Sequence, residues 1–429
     1  MREIIQLRSA QNSYVPISGL PTELLSEVFL CIVESGLQHD DTGFATGTFG
    51  FRQVCKHWNE VAIKFPQLWD QWPSGAIKAW SLFNARSKGA PISLTWKGHH
   101  APVSDQDPLT DPAVPGRIYK LHLSGTNKDL EDIFSAFGIN PPSNASSIRL
   151  YVQLPYFGVE EDTRDHLARF LPFSFPKLSK LDIENTQPDS SSPVLTTSNL
   201  TSLKLRFPYG LGTRYTLAQF SQILQKHPNL QELDLKDGAI PLVESSEALV
   251  PFALPQLVDF KLRGVAGSIL GFTNLIGMSS PLHNVEFHFH CPLDLDVPAL
   301  VDAVKKLLTA YYECGGLSHP RKADHLTISS WPGGDYDPLV FTARSRSTPT
   351  PALQPVLKLQ FSRSHKVLDI FPLFPLDDTR EFTAHGSFLS WNEHYEMLRQ
   401  MKNVTHLQLT ALDIDPTLQA LNSYNRGVS

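Results

Sequence analysis

The chain has 429 residues, a formal net charge of −6 and 41% hydrophobic residues. This length exceeds that of one small domain and can supply a sizeable core, so we expect a small module followed by one larger unit. The acidic balance gives no general electrostatic reason to bind nucleic acid or an anionic membrane surface. No run approaches the roughly 20 apolar residues of a membrane-spanning helix. We therefore predict neither a nucleic-acid partner nor a membrane partner.

The four cysteines lie far apart in the sequence, at Cys31, Cys55, Cys291 and Cys314. None belongs to a Cys-x-x-Cys pair, so the sequence predicts neither a disulfide framework nor a structural zinc site. The first residues include an acidic Glu3 and no continuous apolar segment, so we expect no secretory signal. These observations together predict reduced thiols and a location in the cytoplasm, the nucleus or both.

The first predicted element is a short apolar helix. Pro21 suits the first turn of a helix, and Leu24, Val28 and Phe29 recur at helical spacing. Gly36 is a candidate end signal. The sequence therefore predicts a helix from about Pro21 to Gly36 with one apolar stripe.

A second apolar helix is predicted around Trp58, where Val54, Val61 and Phe65 repeat the helical spacing. Two helices within about 50 residues form a segment too small to bury all of its large apolar side chains. We therefore expect part of this apolar surface to bind a partner protein.

Residues 17–72 combine four features in a fixed order. They are the Leu20-Pro21 opening, the helix start Glu23-Leu24-Leu25, the core Val54-Cys55-x-x-Trp58 and the close Leu68-Trp69. This order resembles an F-box, especially the divergent form common in mushroom-forming fungi. The resemblance implies an all-α three-helix module that binds the Skp-family adaptor of a cullin-RING ubiquitin ligase.

The same resemblance implies which side chains contact the adaptor. The candidates are Leu20, Pro21, Leu24, Leu25, Val28, Phe29, Val54, Cys55, Trp58 and Trp69. A purely structural alternative is that these residues only build a local core, and we expect about half of them to do so.

Beyond this module the chain changes to units of the form Leu-x-x-Leu-x-Leu. Clear units begin at Ile118, Leu178, Leu200, Leu230, Leu257, Leu282 and Val404. Spacings of roughly 20 to 30 residues are typical of one strand plus one return segment, as in leucine-rich repeats. The units resemble the irregular leucine-rich repeats that often follow an F-box, which implies an α/β solenoid with a parallel sheet.

The predicted organisation therefore has four parts. They are an N-terminal tail (1–16), an F-box-like domain (17–72), a connecting helix and repeat cap (73–117) and an irregular leucine-rich-repeat domain (118–429). The fold class is mixed α/β. Return segments 217–226 and 297–314 have helical periodicity, and Pro176, Pro228 and Pro255 precede strands in a way that predicts one recurring turn.

A row of charged residues is predicted to cross the sheet. The middle residue of each Leu-x-Leu faces away from the core, so equivalent residues of neighbouring strands lie about 4.8 Å apart. In chain order these residues are Arg149, Asp182, Lys204, Asp234, Lys261 and Glu286. Their charges alternate in sign, which favours an in-register parallel sheet.

The next outward row, two residues further along each strand, carries cations on consecutive strands. Its members are Arg206, Lys236, Arg263 and His288, preceded by Glu184. A cluster of cations can bind phosphate or an acidic peptide, so these four residues are the candidate client-binding site. The alternative is an ordinary solvated face whose cations are balanced by nearby carboxylates such as Glu232 and Asp259.

No motif predicts catalysis. The sequence contains no phosphate-binding glycine loop, nucleophile elbow or zinc-protease motif. His288, His290 and Cys291 lie close together, but a zinc site needs three or four convergent ligands and no second cluster is evident. We therefore predict a non-catalytic protein without metal or cofactor.

The resemblance implies a substrate-recruiting subunit of an SCF-type ubiquitin ligase that acts in ubiquitin-dependent degradation. The F-box would bind the adaptor, and the repeats would hold a client protein near the ubiquitin-charged enzyme. A polar insert at residues 37–50 leaves an alternative open, namely a leucine-rich-repeat scaffold that acts outside a ubiquitin ligase.

Overall fold

Two units of the chain, residues 1–199 and 200–429, each have their own set of internal contacts. The computed structural model describes residues 16–39, 50–72, 79–98, 109, 111–137, 140–153, 174–196, 199–208, 215–241, 251–277, 282, 284–290, 304–305, 325–330, 339–344, 356–361, 379–385 and 399–410.

The first unit begins with helices joined by short turns. The described elements are α1 (Thr22–His39), α2 (Lys56–Lys64), α3 (Trp80–Ser87) and the 3₁₀ turns Pro16–Gly19, Gly50–Gln53 and Pro66–Trp69. Helix α1 starts after Pro21 as predicted, but it continues through Gly36 to His39. A glycine in a helix costs only about 1 kcal/mol, so it is a weak end signal without a following proline.

Helices α1 and α2 pack through one apolar stripe of each. Leu25, Phe29 and Val33 of α1 are almost fully buried. The ring of Phe29 lies 5.3 Å from the ring of Trp58 on α2, in a tilted arrangement. This spacing is typical of favourable aromatic pairs, which contribute about 0.5–1.5 kcal/mol beyond the buried area.

The helices lead directly into a sheet. The indole of Trp69 donates a hydrogen bond to the carbonyl of Ala62 (2.8 Å), and the indole of Trp72 donates to the carbonyl of Trp69 (3.1 Å). Strand β1 (Gln71–Trp72) then pairs in parallel with β2 (Ile92–Lys97). The indole hydrogen bonds therefore link the helical segment to the first strand.

The sheet of the first unit is parallel throughout, in the order β1-β2-β3-β4-β5. Its remaining elements are β3 (Ile118–Gly125), α4 (Asn127–Phe137), β4 (Ser147–Val152), β5 (Lys180–Glu184) and the single turn α5 (Pro193–Thr196). The predicted mixed α/β class and parallel sheet are confirmed, whereas the sequence placed the first strand at Ile118. The sheet begins earlier than that. Strand β2 alternates between buried and half-buried residues, but no Leu-x-x-Leu precedes it, so the repeat pattern did not identify it.

The recurring turn before the strands is also confirmed. The backbone N–H of Leu178 donates to the carbonyl of Phe175, that of Leu230 to His227 and that of Leu257 to Leu254, at 3.0–3.2 Å. Each turn buries its first residue and fixes the start of the next strand. The proline that follows the first residue suits the second position of such a turn.

The second unit contains a larger sheet that is not entirely parallel. Its described strands are β6 (Ser202–Phe207), β7 (Glu232–Asp237), β9 (Asp259–Val265), β11 (Asn284–His290), β12 (His325–Ser330), β13 (Leu339–Arg344), β14 (Val356–Phe361), β15 (Glu381–His385) and β16 (His406–Thr410). Their order is β6-β7-β9-β11-β14-β13-β12-β15-β16. Strands β8 (Phe252–Ala253) and β10 (Ile276–Gly277) form a separate parallel pair.

Strand β13 corrects the expectation of a purely parallel repeat sheet. It pairs antiparallel with both β12 and β14, so these three strands form a meander. The chain leaves β11 and enters the sheet again at β12, three positions away, which explains the long interval before Leu326. Short apolar runs such as Leu339 to Phe341 do not reveal strand direction, so this reversal has no signal in the sequence.

Two helices are described in the second unit, α6 (Leu217–Gln225) and α7 (Ala266–Leu275). Helix α6 agrees with the prediction for residues 217–226. Its start carries a capping box in which Thr216 and Gln219 exchange side-chain and backbone hydrogen bonds. The helix predicted for residues 297–314 falls outside the described residues, except for 304–305.

Arg117 connects the start of β3 to helix α3. Its Nη1 donates to Oδ1 of Asn84 (2.7 Å), its Nη2 donates to Oγ of Ser87 (2.6 Å) and to the carbonyl of Ala90 (2.9 Å), and its Nε donates to that same carbonyl (3.1 Å). Burial lowers the pKa of Arg117 despite the opposing effect of Asp111. The fork geometry of the guanidinium allows one side chain to satisfy three acceptors.

We expect Arg117→Lys to lower the free energy of unfolding by about 1–3 kcal/mol, because a single ammonium group cannot reach all three acceptors. Arg149→Lys is the matched control, since the Arg149 side chain is 53% exposed. That control should change stability by no more than about 0.5 kcal/mol. Urea denaturation followed by circular dichroism measures both, and equal effects would contradict the assigned role of Arg117.

Candidate protein-binding surfaces

Helix α1 carries a second apolar stripe beside the one that it buries. Leu24 is 53% exposed and Ile32 is 40% exposed, and Val28 between them is half-buried. These residues follow each other at i, i+4 and i+8, so they lie on one side of the helix. Val54, which precedes α2, is 43% exposed. Large apolar side chains that remain in contact with water are candidates for contact with a partner.

The structure divides the predicted adaptor-binding residues into core and surface. Leu25, Phe29, Trp58 and Trp69 are buried; Leu20, Val28 and Cys55 are half-buried; and Pro21, Leu24 and Val54 are exposed. Ile32 joins the exposed group although it was not among the predicted site residues. Its position eight residues after Leu24 was the sequence signal that could have identified it.

Cys55 caps helix α2. Its Sγ accepts a hydrogen bond from the backbone N–H of Trp58 at 3.5 Å, and its own backbone is extended. This is the geometry of an N-cap residue, for which serine or threonine is the common choice. The contact gives Cys55 a structural reason to occupy this position.

Two arginines lie over the ring of Trp69. The guanidinium carbon of Arg86 lies 4.3 Å from the centre of the Trp69 ring, and that of Arg52 lies 5.2 Å from it. Burial lowers the pKa of both arginines, and the charge of Arg52 lowers the pKa of Arg86 further. The ring attracts both cations, so Trp69 stabilises the packing of Arg52 and Arg86 in this segment.

On the second unit the predicted charge row is in register. Lys204 lies opposite Asp234, Asp234 opposite Lys261, and Lys261 opposite Glu286. The alternation continues by one strand that the sequence did not predict, because Glu286 lies opposite Lys358 of β14. In the first unit, Arg149 lies opposite Asp182.

The ion pairs on the second unit run diagonally between rows. Nζ of Lys204 lies 2.6 Å from Oε1 of Glu232, and Nη2 of Arg206 lies 3.0 Å from Oδ2 of Asp234. The long side chain of Lys204 reaches past Asp234, which lies directly opposite it, and Arg206, which lies opposite Lys236, reaches Asp234 in the neighbouring row. The alternation therefore predicted the register correctly, but the charged groups meet across neighbouring rows.

Glu232 is the carboxylate whose titration this arrangement changes most clearly. Burial alone would raise its pKa, but hydrogen bonds from Lys204 and Ser202 and the charges of Lys204 and Lys261 outweigh burial and lower the pKa below its usual 4.5. A carboxyl group with a lowered folded-state pKa stabilises the fold above its unfolded pKa. That contribution is lost as the pH falls through the folded-state pKa.

We expect Glu232→Gln to flatten the pH dependence of stability below about pH 4.5. Glutamine does not titrate, so no interaction of an ionised carboxylate with Lys204 and Ser202 is lost when the pH falls. Urea denaturation between pH 7 and pH 3.5 measures the change. Lys204→Met should flatten the same part of the curve, since it removes the main partner of the carboxylate. A full wild-type slope in both variants would contradict the assignment.

The predicted client-binding cations are brought together at one level of the sheet. Arg206 lies opposite Lys236, Lys236 opposite Arg263, and Arg263 opposite His288. Most of this charge is balanced within the fold, because Arg206 pairs with Asp234 and Nε of Arg263 lies 3.8 Å from Oδ1 of Asp237. Among the described residues, Lys236 has no ion pair. The row is therefore a weaker anion site than its sequence indicates.

The pair of Arg206 and Asp234 is largely shielded from water. The Arg206 side chain is 18% exposed and the Asp234 side chain 7%, and Oδ1 of Asp234 has no described hydrogen-bond partner. Removing one member of such a pair leaves a charge in a poorly solvated position. Substitutions at Arg206 will consequently report on folding before they report on binding.

We expect Arg206→Ala to lower the free energy of unfolding by about 2–4 kcal/mol, because Asp234 would remain buried without its cation. The double variant Arg206→Ala with Asp234→Ala should recover at least half of this loss. Urea denaturation of the two single variants and the double variant gives the coupling energy. Additive losses would show that the pair is not coupled.

Within the described ranges, no group of three or more His, Cys, Asp or Glu side chains is arranged to hold a metal ion. The neighbouring Cys291, considered with His288 and His290 in the sequence, is outside the described residues. Of the helices that the structure describes, none combines the length and the apolar character required to cross a membrane.

No protein-family model matches this chain, and a search of curated proteins finds no match either.

Proposed function

We propose that this protein is an F-box-type subunit of an SCF-type cullin-RING ubiquitin ligase. Its N-terminal helices would bind the Skp-family adaptor, and its sheet surface would bind a client protein. It would contribute proximity rather than chemistry, by raising the concentration of the client near the ubiquitin-charged enzyme. The sequence order within residues 17–72 supports the family resemblance.

The observation that carries the proposal is the exposed apolar stripe of α1. Leu24, Val28 and Ile32 lie beside the buried Leu25, Phe29 and Val33, so the helix offers apolar side chains on two neighbouring sides. One side meets α2 and the rest of the first unit. The other side presents apolar side chains to water, as the centre of an interface does, with the exposed Glu23 and Glu27 next to them.

Val54 supports the same location. At 43% exposure it adds an apolar side chain from the start of the second helix. Three of the four large apolar residues that the structure describes as exposed belong to residues 17–72, and they are Leu24, Ile32 and Val54. Their concentration in one short segment favours a specific contact over scattered surface exposure.

We expect Leu24→Asp to weaken adaptor binding by at least about tenfold without changing stability, because Leu24 is exposed in the isolated chain. Leu25→Asp is the matched control at the next residue. Leu25 is fully buried, so this control should destabilise the first unit by about 3–5 kcal/mol. Calorimetric titration with purified Skp-family adaptor and thermal unfolding measure both effects.

The double variant Leu20→Asp with Pro21→Ala should abolish adaptor binding. The sheet should still unfold in its own thermal transition. If the intact chain does not bind the adaptor, the ligase proposal fails. The protein would then be better described as a repeat scaffold that acts outside a ubiquitin ligase.

A further inference from the structure

The outer face of strands β1 to β4 in the first unit has a distinctive composition. Parallel pairing aligns its outward residues into three rows. The rows are Gln71, Ser93, Lys120 and Ser147; then Thr95, His122 and Arg149; then Lys97, Ser124 and Tyr151. We call these ten residues the β1–β4 outer face.

None of the ten residues is Asp or Glu. Three are permanent cations, one is histidine, and five carry a hydroxyl group, of which only Ser124 is buried. The contrast with the second unit is direct, since β7, β9 and β11 each carry at least one outward carboxylate, at Glu232, Asp259 and Glu286. The strands of the β1–β4 outer face therefore contribute cations and no carboxylate.

Two of its three permanent cations are exposed, and Lys97 is half-buried. Lys120 and Arg149 are exposed, and His122 and Tyr151 next to them are half-buried. Arg149 contacts Asp182 of β5 through Nε at 3.4 Å, with 53% of its side chain exposed. Ion pairs this exposed contribute little, so the contact with Asp182 does not prevent Arg149 from binding another anion.

The spacing of the cations indicates the shape of a suitable ligand. With strands about 4.8 Å apart and a rise of about 3.3 Å per residue, the Cα atoms of Lys120 and Arg149 lie roughly 8 Å apart. Lys97 lies roughly 12 Å from Arg149 by the same geometry. These separations suit carboxylates on alternate residues of an extended peptide, which are about 7 Å apart.

Acidic residues limit the face on one side. Asp182 and Glu184 occupy the outward positions of β5, next to Arg149 and Tyr151. Their charges would repel an anionic ligand that extended beyond β4. The ligand is thereby confined to β1 to β4, where the hydroxyl groups of Ser93, Thr95 and Ser147 lie between the cations.

We propose that the β1–β4 outer face binds an extended, carboxylate-rich segment of a protein partner. This inference rests on the proposed function in naming that partner as the client of the ligase. It replaces the row of Arg206, Lys236 and Arg263 as the principal anion site, because Arg206 of that row is held in a largely shielded pair with Asp234.

The test uses the full chain and a fluorescein-labelled decapeptide of alternating glutamate and alanine, with fluorescence anisotropy as the readout. The wild-type protein should bind this peptide more tightly at 50 mM than at 150 mM salt. Lys120→Glu with Arg149→Glu should weaken binding by at least about tenfold. Lys236→Glu with Arg263→Glu makes the same charge change in the second unit and should alter affinity less than about twofold.

Several outcomes would overturn the inference. They are no binding by the wild-type protein, equal binding of a glutamine-alanine decapeptide, and equal effects of the two double variants. Thermal unfolding checks that both double variants are folded. If Lys120→Glu with Arg149→Glu does not fold, Lys120→Gln with Arg149→Gln replaces it, with an expected loss of about threefold to fivefold.

Adaptor binding, measured on the same preparations, separates this inference from the proposed function. It should be unchanged in Lys120→Glu with Arg149→Glu, because neither residue belongs to α1 or α2. Intact adaptor binding without peptide binding would overturn the client site alone. Peptide binding without adaptor binding would overturn the ligase assignment alone.

Discussion

Burial of the alternate residues of each parallel strand is the constraint on which the rest of the structure depends. Leu121, Ile148 and Leu181 occupy equivalent inward positions in the first unit, as do Leu203 and Leu233 in the second. A shift of one residue in any strand would expose its apolar side chains and bury its charges. The apolar core therefore determines which outward residues lie opposite each other, and with them the location of the charged rows described above.

The sequence predicted those features that follow from this alternation. It gave the parallel register of Lys204, Asp234, Lys261 and Glu286 because the Leu-x-Leu pattern specifies both faces of a strand at once. It predicted the start of α1 next to Pro21 and the turn at His227, because proline restricts the local backbone. In each case a local rule was sufficient.

Features that depend on non-local geometry were not predictable. The antiparallel strand β13 has no signal of direction. Strand β2 is a different case, because its alternation of apolar and polar residues is a local strand signal that lacks only the repeat signature. The ion pairs of Arg206 and Lys204 depend on how far each side chain reaches across two rows. The division of the α1 residues into exposed Leu24 and buried Leu25 depends on where α2 packs, which periodicity alone does not reveal.

Strand β1 has a further consequence for the edge of the first sheet. An edge strand presents unpaired backbone groups that can pair with another chain, and short edge strands limit this hazard. The two residues of β1 cover the start of β2, and the hydrogen-bonded indoles of Trp69 and Trp72 hold them in place. A fragment that begins after Trp72 would expose the edge of β2 together with the apolar partners of both indoles. The N-terminal helical segment thus keeps the start of the β2 edge covered.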